Sequence, residues 1–160
     1  MFKALLSRYN PIDLNGSRLF DHGTFYPAFL KDAAKCKSEI IIESPFITCR
    51  RLEILLPSLQ RLKKRNVKVV VNTRDPFTND DKYMRSESAR AISKLQHIGV
   101  QVLFTGGHHR KLAVIDRQIL WEGSLNILSQ NNSCEVMRRI PSERLAQQMA
   151  RFIGIDKLIN

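Results

Sequence analysis

An α/β fold, with a largely parallel sheet covered on both faces by helices, is what the sequence predicts, and two observations predict it. Short β-branched runs at 40–42, 67–71 and 100–104 alternate with stretches whose apolar residues recur at helical spacing, the pattern of strand–helix–strand units. In such units the helices cover the sheet, so its strands are buried and read as apolar runs. The 160 residues, 43% apolar and 26% charged, suit one domain with a hydrophobic core.

Residues 1–23 mix Asn10, Pro11, Asn15, Gly16 and Gly23 with scattered apolar side chains and read as a loop-like N-terminal arm, leaving 24–160 as the folded domain. From Thr24 a helix is expected, with Phe25, Phe29, Ala33 and Cys36 on one stripe and Pro27 in its first turn. The run 40–42 suits a central strand closed by Ser44-Pro45. Glu43 and Ser44 at its end admit two readings, a place near a substrate or a strand-end turn with Glu43 paired to a basic neighbour. Leu52, Leu55, Leu56, Leu59 and Leu62 then repeat at helical spacing, with Lys63, Lys64 and Arg65 in the last turn, where cations complement the helix dipole. Pro57 should start, kink or split that helix.

The second strand, 67–71, leads into a polar stretch, 72–85, read as a solvated loop whose Arg74, Lys82 and Arg85 are candidates for phosphate contact. Ala89, Ile92 and Leu95 mark the next helix, Gly99 stops it, and 100–104 forms the third strand. After a polar turn at 129–133, residues 134–140 look extended. Pro141 and Ser142 open a closing helix, with Leu145, Met149 and Phe152 at i, i+4 and i+7 expected to pack on the sheet.

Between the third strand and that turn lies the stretch that carries chemistry, HRKLAVIDRQILWEGSLN at 109–126. His109 and Lys111 flank Arg110, Asp116 follows, and then Gly123, Ser124 and Asn126. Six fixed positions of this kind coincide by chance on the order of once in 10⁸ start positions. Residues two apart on a strand share a face, so the His109 imidazole and the Lys111 ammonium converge, and Ser124 and Asn126 do the same if their segment stays extended. An ammonium, an amide and a hydroxyl make a donor set suited to the oxygens of a phosphate diester, and an imidazole beside them can serve as nucleophile or general acid. By the same alternation Arg110 points away, towards a surface or a dimer partner, and Asp116 falls on the opposite face, in a structural role. His108 has the wrong spacing for the pattern.

These positions resemble the signature of the phospholipase D superfamily, His-x-Lys, four residues, Asp, six residues, Gly-Ser-x-Asn. The resemblance extends from about Phe25 to Ile140 and takes in the Glu-Ile-Ile-Ile-Glu-Ser-Pro-Phe stretch at 39–46. It implies a mixed, largely parallel sheet in an α-β-α sandwich, and attack on a phosphodiester through a phosphohistidine intermediate with no metal and no cofactor. It implies His109 as nucleophile in one copy of the site and general acid in the other, Lys111 and Asn126 on the non-bridging oxygens, and Ser124 as a supporting hydrogen bonder. Glu135 stands where the family often carries an acid that hydrogen-bonds the catalytic imidazole. Its other reading is a surface acid balancing Arg138 and Arg139. The family uses two copies of the motif together, whereas this chain has one: His22, His97 and His108 have Thr24, Gly99 and Arg110, not Lys, two residues on. It looks like the single-motif nuclease branch, in which a two-fold homodimer brings two copies face to face.

Lys and Arg outnumber Asp and Glu by 26 to 15, a formal charge of +11, which favours a polyanionic partner. Nucleic acid, DNA rather than RNA, is the expected partner. Domains of this family also occur attached to helicases or in restriction systems, so a larger protein partner of that kind is a further expectation. No membrane partner is expected, because no amphipathic membrane segment and no run of eighteen apolar residues is present. Three widely spaced cysteines, Cys36, Cys49 and Cys134, suit a reducing compartment, and a signal-like apolar run is lacking, which points to the cytoplasm. Two alternatives stand beside a nuclease: a nucleic-acid-binding module without turnover of its own, and a lipid-directed phosphodiesterase.

Overall fold

Seven strands form one mixed sheet in the computed structural model, which describes residues 14–129 and 131–159. In chain order the elements are β1 (Arg18–Asp21), α1 (Phe25–Lys35), β2 (Glu39–Glu43), α2 (Cys49–Lys64), β3 (Lys68–Thr73), α3 (Lys82–His97), β4 (Gln101–Phe104), β5 (Leu112–Ile115), β6 (Ile119–Gly123), β7 (Val136–Ile140) and α4 (Glu143–Phe152). Short 3₁₀ turns lie at Pro76–Thr78 and Ile155–Lys157. Across the sheet the order is β1-β7-β6-β5-β2-β3-β4.

The α/β sandwich is as expected, but the sheet is not largely parallel. Only β2 with β3 and β3 with β4 pair in parallel, whereas β5 on β2, β6 on β5, β7 on β6 and β1 on β7 are antiparallel. The reason is the length of the connections. Parallel neighbours need a crossover, which α2 and α3 supply, but β5 and β6 are joined by a tight turn that can link only antiparallel strands. In that turn Asp116 and Arg117 sit at φ 51° and 56°, and Gln118 N donates to Ile115 O at 2.9 Å. Two successive left-handed residues are what a primed hairpin turn requires.

Alternation along the strands splits the core in two. Ile40, Ile42, Val69, Val71, Ala113, Ile115, Trp121 and Met137 face α1, α2 and α3, and Ile41, Val70, Leu112, Val114, Leu120 and Ile140 face α4. Each fully buried Ile or Val of these strands contributes roughly 1.5–3 kcal/mol through the water it leaves. The larger cluster is centred on Trp121, which is fully buried, with the rings of Phe20, Phe25 and Phe29 within 5.0–6.0 Å. Its indole N–H donates to Asp32 Oδ2 at 3.0 Å, and Arg139 grips the same carboxylate at 2.6 and 3.0 Å.

Four details depart from the sequence-based expectation. Residues 18–21 of the arm are a sheet strand, paired from Arg18 with Arg139 to Asp21 with Val136, while residues 1–13 of that arm lie outside the described residues. The helix α2 runs through Pro57 as a single element, started by Thr48, whose hydroxyl accepts from Arg51 N at 3.4 Å. The polar stretch at 72–85 is mostly structured: Asn72 and Thr73 end β3, and Asp81 caps α3, which begins at Lys82. In α4 the buried stripe is Ala146 and Ala150, continued by Ile153. Leu145 and Met149 flank it, and Phe152 is 83% exposed. Alanines on the inner stripe allow a helix to sit close to the sheet, and the bulky side chains then fall to its sides.

Candidate active site

His109 and Lys111 lie on the extended segment that enters β5. Lys111 Nζ stands 2.7 Å from His109 Nδ1 and donates at 2.7 Å to His109 O, so the expected convergence of imidazole and ammonium is present. Burial lowers the Lys111 pKa, opposed by the negative charge of Glu135. With the ammonium donating to Nδ1, the ring proton sits on Nε2.

The segment is held from behind. Arg110 pairs with both carboxylate oxygens of Glu43, whose side chain is wholly buried at the end of β2, while the arginine stays 38% exposed and borders the open cleft beside Lys111. Asn72 Nδ2 donates to Glu43 Oε1 at 2.9 Å, and Thr105 Oγ1 donates to Asn72 Oδ1 at 3.0 Å. His108, 3% exposed, accepts from Arg110 N at Nδ1 (3.1 Å) and meets Asn72 O with Nε2 at 3.1 Å. This fixes His108 as the Nε2–H tautomer, and burial depresses its pKa. Of the two readings of Glu43, the structure thus has the ion pair. Ser44 is buried too, donating to Phe46 O at 3.0 Å and accepting from Leu128 N at 3.1 Å, which ties the loop after β2 to the loop after Asn126.

Asp116 is far from the reacting groups in function and in contacts. Its carboxylate accepts from Lys37 N, Ser38 N and Ser38 Oγ, each at 2.8 Å, and from Glu39 N at 3.1 Å. Burial opposes its ionisation, yet these donors prevail and hold its pKa down at about 2. Gly123 is required by packing: a Cβ there would stand 2.1 Å from Val136 O and 2.9 Å from Met137 Cα.

Ser124 bridges β6 and β7, its N donating to Val136 O at 2.9 Å and its Oγ accepting from Val136 N at 3.1 Å. Glu135 differs from the family-derived expectation in its contacts. Its carboxylate accepts from the hydroxyls of Ser124 and Ser133, which hold its pKa below the usual range, helped by the charges of Lys111 and His22. It is not hydrogen-bonded to His109, whose Nδ1 faces Lys111. Asn126 lines a cleft of about 360 Å³ together with Phe46, and the Phe46 ring is edge-on to His109 at 6.5 Å. The Oδ1 of Asn126 is buried without a hydrogen-bond partner. On the other side of Lys111 an open cleft of about 490 Å³ is bordered by Leu19, Val136, Met149 and Phe152. Among the described residues, no group of three His, Cys, Asp or Glu side chains gathers as a metal site, and no helix is long and apolar enough to cross a membrane.

The model of the family described as "Cardiolipin synthase, PLD-like domain" matches residues 29–155. The chain belongs to this phospholipase D-like family. Among solved structures it is similar to Nuc, a phospholipase D family member from Salmonella typhimurium, at 17% identity and a TM-score of 0.68, over 85% of this chain and 90% of that one. It is also similar to NucT from Helicobacter pylori, at 18% identity and a TM-score of 0.65, over 85% and 91% of the two chains. Phosphatidylserine synthase from Haemophilus influenzae Rd KW20 shares the fold at 15% identity and a TM-score of 0.65, over 89% of this chain and 38% of that one. No curated protein sequence matches significantly.

In this phospholipase D-like chain the spacing located His109 and Lys111 but not what supports them. Phe46 and Glu43, the partner of Arg110 behind the motif, come from a segment far away in sequence, and nothing in the spacing of 109–126 points to them. The one available signal was the acid at the end of a buried strand.

Proposed function

We propose that the chain is a phosphodiesterase that hydrolyses nucleic acid, DNA before RNA, through a phosphohistidine intermediate formed at the interface of a homodimer. The observation that carries this reading is the contact of Lys111 Nζ with His109 Nδ1, on the extended segment that enters β5 and that the Arg110–Glu43 pair ties to β2. An imidazole beside an ammonium supports a nucleophile paired with a phosphate-binding cation, and the formal charge of +11 suits a polyanion.

In this mechanism a phosphate oxygen draws the Lys111 ammonium off the ring, and the ring proton moves to Nδ1, where the Glu135 carboxylate accepts it as a hydrogen bond. The freed Nε2 of one His109 then attacks phosphorus. As the P–N bond forms, the P–O bond to the leaving group breaks, and that oxygen takes its proton from the imidazolium of the second copy's His109. Water next attacks phosphorus, gives a proton to the second imidazole, and the P–N bond breaks, which returns both rings to their starting states. Lys111 and Asn126 stabilise the charge that grows on the non-bridging oxygens.

A single motif makes the second copy necessary. The exposed apolar side chains beside Lys111, Leu19 at 61%, Val136 at 47% and Phe152 at 83%, offer a self-complementary face next to the site.

The test is cleavage of labelled single- and double-stranded DNA and RNA in excess EDTA, with His109→Ala purified in parallel and the mass measured in solution. Cleavage by the dimeric wild type alone is expected. Equal cleavage by both proteins would place the activity elsewhere. The family description and the likeness to a phosphatidylserine synthase favour a second reading, the same chemistry on a phospholipid. Vesicles carrying anionic phospholipid, included in the same assay, decide between them.

A further inference from the structure

Beside the scissile-phosphate site lies a second recess, the cleft of about 360 Å³ lined by Phe46, Arg50, Tyr83, Met84, Asn126 and Ser129, with Glu87 at its wall. We infer that it is a nucleobase subsite, which takes an unstacked base adjoining the phosphate at His109 and so makes unpaired nucleic acid the substrate. The inference rests on the nuclease reading and extends it to the form of the strand.

Four observations lead to it. The cleft shares Asn126 and Phe46 with the phosphate site, and Phe46 is within 6.5 Å of the His109 ring, so a nucleotide whose phosphate sits at His109 has its base within reach. Tyr83 is 68% exposed on the first turn of α3 and offers an open aromatic plane, while Arg74 already covers Phe46 at 5.5 Å. Glu87 has its pKa lowered by the Cys49 side chain and N–H, by Arg90 and by Tyr83 Oη, and a carboxylate in the wall disfavours a second phosphate while tolerating a neutral base with amino groups. Finally, Asn126 Oδ1 is a buried acceptor with no donor among the described residues, a polar group that a ligand could satisfy. An aromatic plane, a thioether and an amide beside a phosphate site suit a base, and a base can enter only when out of its stack.

The test uses the full chain with a fluorescent single-stranded DNA, its fully paired duplex, and the same strand with tetrahydrofuran abasic residues at its centre, each cut by wild type, Tyr83→Ala and Tyr83→Phe. Wild type is expected to have a KM about tenfold lower for the base-bearing strand than for the abasic one or the duplex. Tyr83→Ala should raise KM about tenfold on the base-bearing strand with kcat kept, leave the abasic strand unchanged, and be rescued by Tyr83→Phe. Equal KM values for wild type and Tyr83→Ala on the base-bearing strand, or an equal loss on the abasic strand, overturn the subsite. If wild type cuts no strand, the nuclease reading fails by itself, and anisotropy with the same strands decides the subsite. Tighter wild-type binding of the base-bearing strand, lost in Tyr83→Ala, supports it, and equal binding of both strands overturns it.

Discussion

Gly123 and Asp116 show how a recurrent spacing can hold residues that never meet a substrate. Gly123 lets β6 and β7 approach, since any Cβ would strike Val136 O. Gly123→Ala should therefore cost about 1–3 kcal/mol in urea unfolding, with a parallel loss of activity from the displaced Ser124 and Asn126. Asp116 ties the β5–β6 turn to residues 37–39. Its pKa of about 2, against a reference of 3.8, means that the folded state binds fewer protons than the unfolded chain between those values. Its contribution is complete above about pH 4 and is lost as pH falls through 2. Asp116→Ala should lower stability by about 1–3 kcal/mol at neutral pH and flatten the fall of melting temperature from pH 4 to 2. If the wild type and the variant lost stability in parallel over that range, Asp116 would not be the group responsible. His109→Ala and Lys111→Met, by contrast, should leave the melting temperature unchanged and lower kcat by about a thousandfold or more. At this scale the spacing anticipated that His109 and Lys111 come together, because residues two apart on an extended segment share a face. Glu135 was legible by position and not by contact, since of the two serines that hold it Ser133 is its near neighbour in sequence but Ser124 lies across the β6–β7 connection.

Among the elements, the link between β2 and the motif segment governs how firmly the site is held. Glu43 is fully buried while its partner Arg110 is 38% exposed. Removing the arginine leaves a buried carboxylate without its charge partner, held by Asn72 and near His108, so Arg110→Ala should cost about 2–3 kcal/mol, whereas Glu43→Leu with Arg110→Leu should recover most of that loss. Denaturation of the wild type, the double variant and the single variants Glu43→Leu and Arg110→Leu checks the pair, and full additivity would show that the two side chains act apart. The helices were legible from their apolar periodicity, and the parallel half of the sheet from the alternation of strands and helices. The antiparallel half was not. Nothing in the composition of 112–123 distinguishes a crossover strand from a hairpin until the left-handed Asp116-Arg117 turn is seen. The orientation of α4 was misread for a related reason. Leu145, Met149 and Phe152 and the neighbouring set Ala146, Ala150 and Ile153 have the same spacing, and only close packing on β5 and β6 selects the smaller set.

For the molecule as a whole, charge and apolar exposure make separate predictions. If phosphate contacts dominate, binding of nucleic acid should weaken steeply between low and physiological salt, and indifference to ionic strength would remove the argument from net charge. Phe152→Lys places a cation at a helix C-terminus, which the helix dipole tolerates, and interrupts the exposed apolar face. The expected result is a monomer in solution with an unchanged melting temperature and no cleavage. A monomer that still cleaves would mean that one motif suffices. The order of the strands has one more consequence. The segment from β2 to β4 pairs with itself through nearby crossovers, but β5 closes against β2, which lies well behind it in the chain, and against β6, which follows. Local pairings form early and distant ones late. A polypeptide still emerging from the ribosome has not yet received Ser124, Asn126 or Glu135 when the strands of its parallel half are all present, so on the proposed reading the site is completed only by the last third of the chain.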